Sequence, residues 1–121
     1  MVIFIPFCLY FFFYRHYRLL EEVRNMLESK FQSRLIKDVK SLFPGCIVTK
    51  SDCNYIQGIP DLLILYGSKW ATLECKQSLR AKKQPNQSYY VDRMNEMSFS
   101  RFICPENKEQ VLEELSLYFA N

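Results

Sequence analysis

The sequence is poor in the residues from which many active sites are built. It has one histidine, His16, three glycines and five prolines in 121 residues, and charged residues make up 24%. This composition excludes a collagen-like, disordered or disulfide-scaffold chain. The lone histidine lies upstream of the patterned part of the chain, which argues against a histidine general base or a His-ligated metal. The five cysteines, Cys8, Cys46, Cys53, Cys75 and Cys104, include no C-x-x-C pair. Their number is odd and their spacing fits neither a zinc site nor a disulfide framework. Free thiols packed as small hydrophobes in a reducing cytoplasm are the expectation. Charge of one sign is also scarce: 16 Lys and Arg against 13 Asp and Glu give +3, too little to indicate a nucleic-acid partner by itself. The length gives one domain with one modest core.

Aromatic residues are abundant and unevenly spread. Eight of the 19 Phe, Tyr and Trp residues fall within the first 17 positions. Met1 to Tyr14 (MVIFIPFCLYFFFY) is an uninterrupted apolar run, followed by Arg15, His16 and Arg18. A membrane-crossing helix needs ~20 apolar residues. A signal peptide needs a basic start and a small-residue cleavage site, and neither is present. A membrane anchor with positive charges on its cytoplasmic side remains an alternative. The favoured expectation is that residues 1–25 lie outside the fold, as a leader read through from an over-early start, with Met26 the true start. Glu21-Glu22-Val23 can be encoded by GAGGAGGTN, a purine-rich ribosome-binding sequence just ahead of Met26. On this reading residues 26–121 form the domain and have no stable membrane association.

From Phe31 the apolar residues Phe31, Leu35, Ile36, Val39 and Leu42 recur near a 3.6-residue period, which predicts a helix ending at Phe43-Pro44-Gly45. Cys46 to Lys50 reads as a strand and Ser51 to Ile59 as a loop. Asp61 to Tyr66 and Trp70 to Cys75 are two strands joined at Gly67-Ser68-Lys69, a hairpin signal. Gln77 to Gln84 is a polar, basic loop. A helix follows Pro85, with Gln87, Tyr90, Val91, Met94 and Met97 on one side; Phe99 to Cys104 is a strand. The last helix follows Pro105, with Asn107 and Gln110 spaced as a capping box. The order αβββαβα predicts an α/β domain, bordering on α+β, with a small mixed sheet flanked by helices.

The hairpin carries the chemistry. A two-residue turn at Gly67-Ser68 pairs Tyr66 with Lys69 and sets Asp61 opposite Glu74; a three-residue turn sets it opposite Cys75, still beside Glu74. Glu74 and Lys76 share a strand face. Two adjacent carboxylates repel, and burial is costly unless a cation lies between them. Mg²⁺ suits that position, because it takes oxygen ligands and keeps several waters. It would make a bound water nucleophilic, with Lys76 orienting that water or stabilising charge on a phosphate oxygen. The bland alternative is a surface salt bridge between Glu74 and Lys76. Glu28 falls on the buried stripe of the first helix; it is either a residue of the first turn, favoured by the helix dipole, or aimed into the site. Lys76, Arg80, Lys82 and Lys83 form a basic cluster with no acid among them, which suits phosphodiester contact. Glu106, Glu109, Glu113 and Glu114 mark the last helix as turned away from that ligand.

Pro60-Asp61 followed by Glu74-Cys75-Lys76 resembles the PD-(D/E)xK signature of the restriction-endonuclease-like nucleases. Gln57-Gly58-Ile59-Pro60-Asp61-Leu62-Leu63 is similar to the G-x-P-D segment of the VRR-NUC and Holliday-junction-resolvase-like branch. Small phage-encoded nucleases of that branch share the look of Glu28-Ser29-Lys30-Phe31-Gln32 and of Pro85-Asn86-Gln87-x-x-Tyr90. The resemblance covers Met26 to about Leu115 and implies a restriction-endonuclease-like core. It implies that Asp61, Glu74 and the backbone carbonyl of Cys75 coordinate Mg²⁺, with Mn²⁺ as a substitute. Lys76 would be the catalytic lysine and Glu28 the helix carboxylate that completes the acidic site. Gln87 would contact the nucleic acid or nucleophile, supported by Tyr90. The expected activity is Mg²⁺-dependent endonucleolytic hydrolysis of DNA, on branched or junction DNA, by a cytoplasmic homodimer. A nicking or restriction-type nuclease on linear duplex, and a non-catalytic nucleic-acid-binding or membrane-tethered protein, are the alternatives.

Overall fold

The computed structural model describes residues 6–121. Helix α1 runs from Phe7 to Leu42, strand β1 from Ile47 to Lys50, β2 from Leu62 to Tyr66 and β3 from Lys69 to Cys75. Helix α2 spans Pro85–Met97, β4 spans Phe99–Ile103 and α3 spans Lys108–Ala120. The chain is therefore of the mixed α/β class, with three helices and a four-stranded mixed sheet among the described residues.

Strand order follows chain order, β1-β2-β3-β4. The first three strands form an antiparallel meander, and β4 pairs parallel to β3 after α2 has crossed over. Local chemistry sets the hairpin: Gly67 takes the left-handed conformation at φ 61°, and Tyr66 pairs with Lys69. The register then pairs Leu62 with Leu73 and Ile64 with Ala71, as a two-residue turn requires.

The core lies between one face of the sheet and α1 with α3. Leu35, Val39 and Phe43 meet Leu62, Ile64, Ala71, Leu73, Cys75, Phe99 and Ile103, with Val111, Leu112 and Leu115 from α3. Each fully buried Leu or Ile contributes about 1.5–3 kcal/mol. The other sheet face packs on α2, where Thr72 Oγ1 donates to Ser100 Oγ at 2.7 Å. Ala71 through Cys75 are all buried, so β3 is covered on both faces.

Several expectations need correction. Leu42 is exposed and Phe43 takes its place in the core, because the helix ends there and the chain turns inward. Met97 is exposed, whereas Val91 is buried. Asn107 is the N-cap of α3, but its side chain does not cap the helix. Its Oδ1 accepts from the Cys104 N–H and its Nδ2 donates to the Phe102 carbonyl, which ties β4 to the helix instead. Of the thiols, Cys75 and Cys104 are buried, Cys46 is intermediate, and Cys8 and Cys53 are exposed.

Met26 marks no break in the backbone, since α1 passes straight through it. It lies close to a break in burial. From residue 6 to Leu27 every side chain is exposed, and Glu28 is the first that is partly buried. Phe7 is 81% exposed. Residues 1–5 of the apolar run lie outside the described residues. Among the described residues no helix is long and apolar enough to cross a membrane.

Candidate active site

Asp61 stands at the entry to β2 and Glu74 near the end of β3, opposite each other at the mouth of the hairpin. The Asp61 N–H donates to Glu74 Oε2 at 3.0 Å, and the Cys75 N–H donates to Asp61 Oδ2 at 2.9 Å. Each carboxylate is thus held by the backbone of the other strand. Glu74 is 3% exposed. Burial first, then the Asp61 carboxylate, push its carboxyl up to about 8. Burial also raises Asp61, although the Cys75 N–H works the other way.

Gln87, in the first turn of α2, joins the pair to Lys76. Its Nε2 donates to Glu74 Oε1 at 3.1 Å, while its Oε1 accepts from Lys76 Nζ at 2.7 Å and from the Gln84 N–H at 3.0 Å. One amide thereby fixes both neighbours and its own helix start. Glu74 and Lys76 form no direct ion pair, so the bland alternative of a surface salt bridge does not describe them.

Glu28 lies far inside α1, not in its first turn, so favourable interaction with a helix N-terminus does not explain it. It is half-buried, and burial and the Asp61 charge raise its carboxyl, offset by Lys76 and Arg24. The helix therefore aims it at the site. Among the described residues, no three His, Cys, Asp or Glu side chains form a ready metal-ligand cluster. The side-chain donors are the Asp61–Glu74 pair, with Glu28 beside them as a charge.

This donor set fits a small hard cation. The groups are oxygens, and a buried carboxyl pushed up to about 8 marks a place short of positive charge. Mg²⁺ needs only one or two carboxylates, because waters fill its remaining positions.

A cleft of about 770 Å³ opens beside the pair, lined by Glu28, Lys76, Gln77, Arg80, Lys82 and Gln87 among others. Of the basic cluster, Lys76, Arg80 and Lys82 face this cleft. Lys83 does not: its Nζ sits 4.5 Å from the centre of the Phe102 ring. Tyr90 is half-buried on α2 with its ring 5.1 Å from that of Tyr89. Glu106 is not turned away from the loop, because its Oε2 accepts from the Leu79 N–H.

Two further features escaped the sequence reading. Gly58 has φ 88°, and a Cβ there would lie 2.7 Å from the Asn86 backbone carbon. That close approach seats the loop before Asp61 against the start of α2, one residue from Gln87. Tyr17, Glu21 and Arg24, from the stretch expected to lie outside the fold, also line the cleft. Their four- and three-residue spacing to Glu28 was the available signal.

No family model, no curated protein and no solved structure matches the chain.

Proposed function

We propose that the chain is a Mg²⁺-dependent endonuclease with a restriction-endonuclease-like core, hydrolysing phosphodiester bonds in DNA. One observation carries the reading: Asp61 and Glu74, interlocked through each other's strand, share an amide-linked lysine at the edge of a basic cleft. A structural carboxylate pair has no need of an adjacent lysine held off by a glutamine. A phosphate-cleaving site needs both signs of charge close together and kept apart.

Asp61, Glu74 and the Cys75 carbonyl would hold the cation, with Glu28 adding negative charge. Bound there, Mg²⁺ would supply Lewis acidity toward a phosphate oxygen and a lowered pKa for a water. Lys76 stabilises negative charge developing on the phosphate, and Gln87 keeps its ammonium aimed at that point. Arg80 and Lys82 neutralise flanking phosphates and position the strand. The preferred substrate is branched DNA. A four-way junction has two-fold symmetry, and a domain this small covers little of it alone, so the working unit is a homodimer.

The test incubates the protein with a four-way junction, a linear duplex and single strands, in Mg²⁺ or in EDTA. Cutting in Mg²⁺, absent in EDTA and from Asp61→Ala, is the expected result. Loss of a cation contact worth several kcal/mol corresponds to roughly 10³-fold or more in rate. No cleavage in Mg²⁺, or equal cleavage by Asp61→Ala, removes the nuclease reading. Equal rates on junction and duplex leave a nicking or restriction-type nuclease.

A further inference from the structure

Helix α1 is far longer than the domain needs. At about 1.5 Å per residue, its 36 residues extend about 54 Å. The core uses Leu35 and Val39, and every side chain from Phe7 to Leu27 is exposed. The exposed part is nevertheless in phase with the buried part. Tyr17, Glu21, Arg24 and Glu28 follow one another at intervals of four, three and four residues, and the same row continues to Leu35 and Val39. They therefore share one helix face. Burial of Leu35 and Val39 fixes the rotation of the helix, and so turns that upper face toward the cleft.

The cleft has two walls. One is the loop after β3, which brings Arg80 and Lys82; the other is α1, which brings Arg24 and Tyr17. Arg24 is exposed and has no ion-pair partner among the described residues. It is close enough to Glu28 for its charge to bear on that carboxyl. Glu21, one turn above, is the opposing acid on the same wall.

Resting on the nuclease reading above, we propose that the upper face of α1 is the second wall of the nucleic-acid cleft and that Arg24 binds a backbone phosphate there. Arg24 is a binding residue, not a catalytic one. A guanidinium suits the role, since its planar donors match phosphate oxygens. Glu21 faces the same strand and weakens its binding.

The experiment measures fluorescence anisotropy of a labelled four-way junction with the full chain, in EDTA, from 50 to 200 mM KCl. Removing one phosphate contact lowers the slope of log K against log salt by about 0.9. Arg24→Ala should show that reduction with an unchanged melting temperature, Arg24→Lys should retain most of the slope, and Glu21→Gln should tighten binding. An Arg24→Ala slope equal to that of the unaltered chain overturns the proposal. So does unchanged or weaker binding by Glu21→Gln. The nuclease reading is scored separately, by Asp61→Ala cleavage in Mg²⁺. If Asp61→Ala abolishes cutting while Arg24→Ala leaves the slope unchanged, the second wall is wrong and the nuclease stands. If the unaltered chain neither binds nor cuts DNA, both fall.

Discussion

Asp61 and Glu74 hold each other through the backbone: the Asp61 N–H binds the Glu74 carboxylate, and the Asp61 carboxylate binds the N–H after Glu74. This reciprocity ties the two acids together at the hairpin mouth. These N–H donors favour the ionised forms, but burial outweighs them at both acids, and the Asp61 charge adds to it at Glu74, so both are hard to ionise.

The first prediction concerns pH. Glu74 ionises near its ordinary value when unfolded, but only at about 8 when folded. Below the ordinary value both states are protonated and folding is unpenalised. As pH rises toward 8 the unfolded chain releases a proton that the folded chain retains, so stability falls, and the full loss is present above 8. Melting temperature measured in EDTA should decline from pH 5 to pH 9. Glu74→Gln should flatten that decline, and millimolar Mg²⁺ should counter it at pH 8. A melting temperature that rises with pH in EDTA would count against the assignment.

The second concerns Gln87. Gln87→Ala leaves a buried carboxylate oxygen of Glu74 without its amide donor and releases Lys76. An unsatisfied buried group costs about 1–3 kcal/mol. The melting temperature should drop by several degrees, and the cleavage rate should fall further than DNA affinity does. Equal loss of rate and affinity would place Gln87 in binding alone.

The third concerns Gly58, where a left-handed backbone meets Asn86 at close range. Gly58→Ala adds a Cβ with no room for it and a strained φ. Each effect costs on the order of 1–3 kcal/mol. Urea unfolding should show a lower midpoint, and the α2 start should shift away from Asp61. An unchanged midpoint would show that the loop yields freely.

The fourth concerns the long helix. Deleting residues 1–25 removes only exposed side chains among those described. Urea midpoint and melting temperature should change little, and aggregation should decrease as Phe11, Phe12 and Phe13 go. Junction affinity should fall with the loss of Arg24. A large drop in stability would show that the exposed helix supports the core.

The amino-acid sequence determined the α/β class, the element order and the place of the hairpin, because each rests on local rules; the fold chose the two-residue turn over the three-residue one. Pro44 ends a helix, Gly67 admits a two-residue turn, and period-two and period-3.6 patterns assign strands and helices. With the register fixed, Asp61 had to face Glu74. Tertiary structure decided the rest. Only packing brings Gln87 from α2 between Glu74 and Lys76, since an amide thirteen residues away carries no local sign of its partner. Only the fold turns Lys83 onto Phe102 while leaving Arg80 and Lys82 in the cleft. The role of Asn107 likewise depended on β4 lying within reach. Most of all, composition set the first 25 residues apart from the domain, whereas α1 runs unbroken from Phe7 to Leu42. Burial of Leu35 and Val39 sets the rotation of α1, and a rigid helix carries that rotation upward to place Tyr17 and Arg24 beside the site.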